Sequence, residues 1–226
     1  MTPERFEKLK SVLARRQPDL TVLMEDVHKT HNIAAIIRTC DAVGVFEAHA
    51  VSEDPDLRRH HVIAAGTRKW VPVRTHASLE AAAGELRRQG LRIVAAHLDE
   101  RAVDYRDLDY TQPTVLLLGS ELWGVSEAAA TLADTLIRVP MQGLVESLNV
   151  SVAAALVLFE AARQRERAGL YATRRLDPER FRQRLFEWAH PAIARRCRQR
   201  GLPYPPLTDD GDLAANPFAG TQRNED

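Results

Sequence analysis

Residues 144–152 read LVESLNVSV and follow directly on residues 139–143, VPMQG. The stretch puts two small polar side chains, Ser147 and Asn149, at the start of a helix that is otherwise apolar. Polar groups held by a rigid element are what a small-molecule pocket needs. The helix is predicted over 147–168. Because it has almost no polar face, we expect it to be buried in a core or against a second subunit. An N-cap role for Ser147 would explain its position equally well.

Strand and helix signals alternate along the rest of the chain. Alternation at this spacing predicts an α/β fold with a parallel sheet flanked by helices. The predicted strands are 20–25, 47–52, 70–74, 91–98, 114–118 and 135–139, and the predicted helices are 3–17, 32–43, 57–65, 78–89 and one that begins near 126.

The composition is that of an ordinary globular protein. The chain has 226 residues, of which 45% are hydrophobic and 27% charged. No apolar run reaches the roughly 18 residues that span a bilayer, and the N-terminus lacks the order of a signal peptide. Cys40 and Cys197 show no metal-ligand spacing, so we expect reduced thiols, no metal site, no membrane contact and a cytoplasmic protein.

The net charge of zero conceals a marked asymmetry. Residues 1–18 carry five basic and two acidic side chains, and residues 163–200 carry twelve arginines and four acidic side chains. The rest of the chain therefore has a formal charge of −11. Basic ends on an acidic centre favour a polyanionic partner, although solvated helix faces would give the same pattern.

The sequence predicts three parts. Residues 1–18 form a basic helical extension, 19–168 the catalytic domain, and 169–226 a basic C-terminal extension with helices broken at Pro191. Residues 208–226 are polar, and we expect this tail to be disordered.

Residues 118–126, LGSELWGVS, form a glycine-containing turn after a buried strand. Open α/β sheets place ligands at such turns. The spacing of Gly119 and Gly124 is that of a phosphate-binding loop, but Val125 stands where that loop needs lysine. Taken alone, the turn is either a tight strand-helix connection or a ligand loop.

Residues 31–38 read HNIAAIIR. Ile33, Ile36 and Ile37 define the buried stripe of a helix, and Arg38 lies about 160° from its centre, so it points away from the core. A solvated arginine and an N-capping Asn32 would account for this segment as well.

Together these three segments resemble the SPOUT superfamily of methyltransferases, in its SpoU branch of RNA ribose 2′-O-methyltransferases. The matching motifs are Asn32 with Arg38, residues 118–121, and residues 139–151. The flanking stretches 14–20 and 201–205 resemble the TrmH type, which methylates the ribose of the D-loop guanosine at position eighteen of tRNA.

The resemblance implies a SPOUT fold whose C-terminal part forms a deep trefoil knot, a homodimer that joins at the knot, and S-adenosyl-L-methionine as cofactor. Three loops would hold that cofactor, through Ala96, Leu98, Gly119, Glu121, Val139, Met141, Leu148 and Asn149.

The resemblance also implies roles for individual side chains. The catalytic set would be Arg38, Asn32, Glu121, Ser147 and Asn149, with Arg38 binding the RNA phosphate and the 2′-oxygen together. The basic ends would bind tRNA, and the candidate RNA contacts are Lys8, Arg15, Arg16, His31, Arg163 and Arg165. A ribosomal RNA methyltransferase of the same branch and a non-catalytic RNA-binding factor are the alternatives.

Overall fold

The computed structural model describes residues 1–52 and 69–218. The chain divides into two compact units, which are described separately. One unit is Gln17–Ala172, and the other combines Met1–Arg16 with Thr173–Asp226. The sequence predicts two separate extensions at the chain ends, whereas the structure folds both ends into a single unit.

The described elements are as follows. The strands are β1 Leu20–Glu25, β2 Ala48–Val51, β3 Val73–His76, β4 Arg92–Ala96, β5 Val103–Asp104, β6 Thr114–Leu118 and β7 Thr135–Arg138. The α-helices are α1 Pro3–Ala14, α2 Thr30–Ala42, α3 Leu79–Arg88, α4 Glu127–Leu132, α5 Val150–Arg167, α6 Pro178–Ala189 and α7 Pro191–Gln199, and a 3-10 turn covers Tyr105–Asp107.

Among the described residues of the larger unit, seven strands form one sheet in the order β3-β2-β1-β6-β4-β7-β5. Every pairing is parallel, which confirms the predicted parallel sheet. At its centre β1 runs beside β6, with Leu20 opposite Thr114 and Met24 opposite Leu118. Both strands are buried along their whole length, because helices cover both faces of the sheet.

Alternate residues of the central strands pack into two hydrophobic clusters, one on each face of the sheet. Helices α2 and α5 share one hydrophobic cluster with Val22 and Leu116. Helices α3 and α4 share the other cluster with Leu23 and Val115. The period of two along a strand separates these neighbours onto opposite faces, so the flanking helices form two layers around the sheet.

The sheet topology decides where a ligand can lie. Strands β1, β6, β4 and β7 are consecutive neighbours and run in the same direction. The loops that follow them therefore meet at one edge, the carboxyl edge, which is where parallel α/β sheets bind ligands. The connection from β7 to α5 is residues 139–149, the stretch that carries Ser147 and Asn149.

Some element bounds differ from those predicted. The strand predicted over 70–74 lies at Val73–His76. The helix predicted from Ser147 begins at Val150, because Asn149 is its N-cap and accepts a hydrogen bond from the Ser151 amide at 2.9 Å. The short strand β5 has no counterpart among the predicted strands, since two residues give no periodicity. The helix predicted over 57–65 lies outside the described residues.

Arg165 of α5 is completely buried. Its guanidinium donates to the Asp19 carboxylate at 2.7 Å, to the Gln17 side-chain oxygen at 3.0 Å, and to the carbonyl oxygens of Tyr110, Asp19 and Gln112 at 2.8–3.2 Å. These bonds tie the helix to the chain just before β1 and β6. The prediction that Arg165 contacts RNA is therefore wrong, because its side chain does not reach the surface.

The smaller unit is helical. Helix α1 buries Phe6, Leu9 and Leu13 and packs against α6. The break between α6 and α7 falls at Pro191, as predicted. Residues 208–214, expected to belong to a disordered tail, take part in a turn in which Leu207 bridges to Leu213. Residues 219–226 of that tail lie outside the described part of the chain.

Arg16 is also buried, with 1% of its surface exposed. Its guanidinium lies 5.2 Å from the centre of the Trp188 ring, in a cation-π contact within the smaller unit. The prediction of Arg16 as an RNA contact is wrong for the same reason as that of Arg165.

No helix in the described residues is both long enough and apolar enough to cross a membrane. Cys40 and Cys197 are free thiols, and both are buried.

Candidate active site

A cleft of about 530 Å³ opens at the carboxyl edge of the sheet. The loops after β4, β6 and β7 line it, together with Lys29 from the loop after β1. Every residue predicted to hold the cofactor lines this one cleft, as does Ser147. Predicted cofactor residues as far as 53 positions apart in sequence, Ala96 and Asn149, thus come together. The cleft also contains His97, which lies within the first predicted cofactor loop, and Lys29, Trp123 and Arg138, which the sequence does not single out as site residues.

The loop after β6 is a tight turn between Gly119 and Gly124. A Cβ atom on Gly119 would lie 2.0 Å from the backbone of Gly124, so only glycine fits there. Gly124 adopts a φ of 66°, and its amide donates to the Ser120 carbonyl at 2.9 Å. The Ser120 hydroxyl accepts from the Trp123 amide at 3.1 Å. Contacts within the turn itself therefore fix its conformation without a ligand.

The carboxylate of Glu121 projects from this turn onto the start of α2. It accepts hydrogen bonds from the backbone amides of His28 and Lys29, each at 3.0 Å, and from the Asn32 side chain at 2.8 Å. Burial disfavours the charged form, but these three bonds outweigh it and lower the pKa of Glu121. Glu121 is therefore ionised at neutral pH and fixes the loop after β1.

Asn32 joins all three sequence motifs. Its amide nitrogen donates to Glu121, and its amide oxygen accepts from the Asn149 side chain at 3.1 Å. The oxygen of Asn149 in turn accepts from the Ser151 amide and hydroxyl at 2.9 and 2.7 Å. Asn32 is buried, so a chain of hydrogen bonds crosses the floor of the site from the second motif through the first to the third.

Arg38 does not belong to this network. It is exposed on α2 and is not among the residues that line the cleft of its own chain. His31 is exposed at the start of the same helix. The exposure of Arg38 agrees with its predicted position off the core, but its catalytic role stays a prediction.

The other candidate RNA contacts lie on the surface. Lys8, Arg15 and Arg163 are all exposed. Arg163 pairs with Glu160 one turn earlier on α5, through two contacts of 2.8 and 2.5 Å. The same helix exposes an apolar stripe three to four residues apart: Val152, Leu156 and Phe159 are 46%, 38% and 56% exposed.

Two residues that sequence reasoning missed could have been found from their positions in the sheet. Lys29 follows β1, and Arg138 ends β7. In a parallel sheet, polar residues at the carboxyl ends of neighbouring strands are candidates for one site. In the described ranges 1–52 and 69–218, no group of three or more histidine, cysteine or acidic side chains could hold a metal ion.

Comparison with known proteins gives consistent matches. A model of the SpoU rRNA Methylase family matches residues 19–159, and a model of the SpoU rRNA methylase C-terminal segment matches residues 163–216. The tRNA (guanosine(18)-2′-O)-methyltransferase of Escherichia coli K12 is 49% identical over 218 residues, which are 96% of this chain and 95% of the relative.

Solved structures agree. The Aquifex aeolicus TrmH/SpoU tRNA modifying enzyme matches with a TM-score of 0.76 and 40% identity, over 84% of this chain and 97% of that one. The SpoU methyltransferase AviRb from Streptomyces viridochromogenes, in complex with AdoMet, matches with a TM-score of 0.56 and 32% identity, over 67% of this chain and 62% of that one.

Proposed function

This chain belongs to the SpoU methylase family, and from that membership we propose that it methylates the ribose 2′-oxygen of guanosine 18 in the D-loop of tRNA. The observation that carries the proposal is the match to a tRNA (guanosine(18)-2′-O)-methyltransferase over nearly the full length of both chains. That match covers 96% of this chain and therefore extends into both basic ends. The joined motifs at the cleft count against a non-catalytic RNA-binding factor.

The cofactor is S-adenosylmethionine, and the cleft fits it. A cleft of about 530 Å³ is in the size range of small-molecule sites. The side chains of Leu98, Val139 and Leu148 give it apolar walls, and the turn at Gly119 leaves no room for a side chain. When bound, the cofactor supplies a methyl group that its sulfonium makes electrophilic.

The protein's own task is to orient the ribose and to stabilise the oxygen as its proton passes to the neighbouring RNA phosphate. A guanidinium has a pKa above about 12 and is a poor base. Arg38 therefore binds the 2′-oxygen and a neighbouring phosphate through its planar fork, which stabilises the developing negative charge. Asn32 and Asn149 hold the loop geometry around the reacting groups.

The enzyme acts as a homodimer in which Arg38 of the partner subunit serves each cleft. Two observations support this. Arg38 does not line its own cleft, and α5, which packs against the helix of Arg38, exposes an apolar stripe that suits a second copy of the chain. The family resemblance adds that the C-terminal part forms a trefoil knot and that the knot lies at the interface between the subunits.

Subunit mixing tests the shared site. Arg38→Ala and Asn149→Ala variants, each inactive alone, are unfolded and refolded together. Random pairing leaves one intact site in each mixed dimer, so about a quarter of wild-type activity returns. If the mixture stays inactive although mixed dimers form, Arg38 acts in its own chain and the proposed arrangement is wrong.

The smaller unit binds tRNA through phosphates. Its sequence ranges contain 15 basic and 10 acidic residues, a formal charge of +5, and the larger unit has a charge of −5. Lys8→Glu with Arg15→Glu should weaken tRNA binding and reduce its salt dependence by about 0.9 in log-log slope for each phosphate that the variant no longer neutralises. Arg88→Glu, an exposed site in the larger unit, is the matched control. Because tRNA is the substrate, we place the enzyme in the cytoplasm.

The decisive experiment measures transfer of a labelled methyl group. Unmodified tRNA should accept one methyl group per molecule, and tRNA with 2′-deoxyguanosine at position eighteen should accept none. Methylation of the deoxy substrate, or of ribosomal RNA in preference to tRNA, would overturn the proposed substrate.

A further inference from the structure

Trp123 is an exposed aromatic side chain at the mouth of the cleft. It lies in the turn after β6, two residues beyond Glu121, and lines the cleft with 86% of its surface exposed. An indole ring of this size is normally covered in a folded protein. Because it is exposed beside the proposed reaction site, the Trp123 ring is a candidate contact for a ligand.

The turn fixes where the indole stands. The Trp123 amide donates to the Ser120 hydroxyl, and the neighbouring Gly124 amide donates to the Ser120 carbonyl. Gly119 packs so closely against Gly124 that the turn has little freedom to rearrange. The backbone of Trp123 is thus held in place before binding, which lowers the entropic cost of using its side chain as a contact surface.

The surroundings suit a nucleotide. Lys29 and Arg138 are both exposed and line the same cleft as Trp123. An aromatic ring and cations in one cleft are the means by which proteins hold unpaired nucleotides, with the base on the ring and the phosphates near the cations. The buried centre of a subunit interface is instead depleted of charge, and the apolar stripe of α5 already offers a surface for a partner subunit.

We propose that Trp123 stacks on the nucleobase of the nucleotide whose ribose is methylated. The inference rests on the proposed function and names the specificity contact of the same site. A base stacked at this turn leaves its ribose beside the cleft, while the reacting ribose itself is oriented by other residues. Trp123 is then a positioning residue that selects an unpaired, extruded base.

The test places 2-aminopurine at position eighteen of tRNA and follows its fluorescence when protein is added. Wild-type protein should quench the probe by stacking, Trp123→Phe should retain part of the quenching, and Trp123→Ala should lose it. Loss of one base-aromatic stack should lower kcat/KM for tRNA by about 5- to 150-fold, a larger factor than the change in the Kd for S-adenosylmethionine, whose cleft Trp123 also lines. Val103→Ala, which truncates an exposed apolar side chain elsewhere in the unit, is the control.

Several results would overturn the inference. One is equal quenching by wild type and Trp123→Ala. Another is a shift of Trp123→Ala from dimer to monomer in sedimentation, which would assign the indole to the subunit interface. If wild-type protein transfers no methyl group to tRNA, the proposed function fails, and this outcome is separate because the quenching assay requires binding but no turnover.

Discussion

Replacing Arg165 and Arg163 in parallel separates a structural arginine from a surface one on the same helix. Arg165 is fully buried, and its guanidinium satisfies the Asp19 carboxylate and three carbonyl oxygens. Arg165→Ala would remove the guanidinium that donates to the Asp19 carboxylate and the Tyr110 carbonyl oxygen, whereas the carbonyl oxygens of Asp19 and Gln112 keep bonds from Thr114. Breaking such a pair costs about 3–5 kcal/mol. At roughly 2–4 °C per kcal/mol for a chain of this size, Tm should fall by about 6–20 °C.

Arg163→Ala is the matched control. Its guanidinium is exposed and pairs with Glu160 on the same surface of the helix, and a surface pair contributes at most about 1 kcal/mol. Thermal and urea unfolding of both variants, followed by tRNA binding at a temperature where both are folded, would measure the difference. An unchanged Tm for Arg165→Ala would refute the buried network. Weakened tRNA binding by a fully stable Arg165→Ala would refute its burial.

Three further predictions follow from particular contacts. Asn32→Asp places a second carboxylate 2.8 Å from Glu121. Because the two carboxylates repel each other, cofactor binding should weaken by about tenfold or more at pH 8, and by less at pH 5, where the pair retains a proton. Calorimetric Kd values for the cofactor that do not vary with pH would contradict this. Gly119→Ala should reduce cofactor affinity because a Cβ atom there would lie 2.0 Å from the Gly124 backbone. Gly84→Ala is the control: its Cβ atom would have its nearest neighbour at 3.7 Å, so cofactor affinity should stay the same and stability should stay the same or rise slightly. Burial, with His76 and Arg74 nearby, lowers the pKa of His49 from 6.5 to about 3. As the pH drops from 6.5 towards 3, the unfolded chain therefore binds the proton first, and the free energy of unfolding falls. Between pH 7.5 and 5 this group should lower the free energy measured by urea unfolding by about 2 kcal/mol, and an equal loss in His49→Gln would exclude His49 as its source.

The parallel sheet could be predicted from the sequence because its strands are short apolar runs, and segments with helical periodicity separate them. Residues 114–118 are an example: five apolar or β-branched residues that prove buried at every position. One residue of each motif, Asn32, Glu121 and Asn149, also lies in a single hydrogen-bonded chain, since each motif follows a strand whose carboxyl end lies at the same edge; Arg38 is not part of that chain.

What escaped prediction depends on long-range contacts. Ser147 and Asn149 are equally good N-caps in isolation; in the structure Asn149 caps α5, and its side-chain nitrogen also donates to Asn32, 117 positions away. Arg165 and Arg163 are two residues apart in one basic run, yet one faces Asp19 in the interior and the other faces solvent. Periodicity could not assign these two arginines, because the polar partner that draws Arg165 inward is 146 positions away.

The joining of both chain ends in one unit has a consequence for the order of synthesis. Helix α1, with Phe6, Leu9 and Leu13 on one face, is translated before the whole of Gln17–Ala172, and α6, the helix that it packs against, only after it. At about 5–20 residues per second, α1 therefore spends many seconds with its apolar face unpaired. Translation that stops before Thr173 would leave that face exposed, and chaperones bind such surfaces.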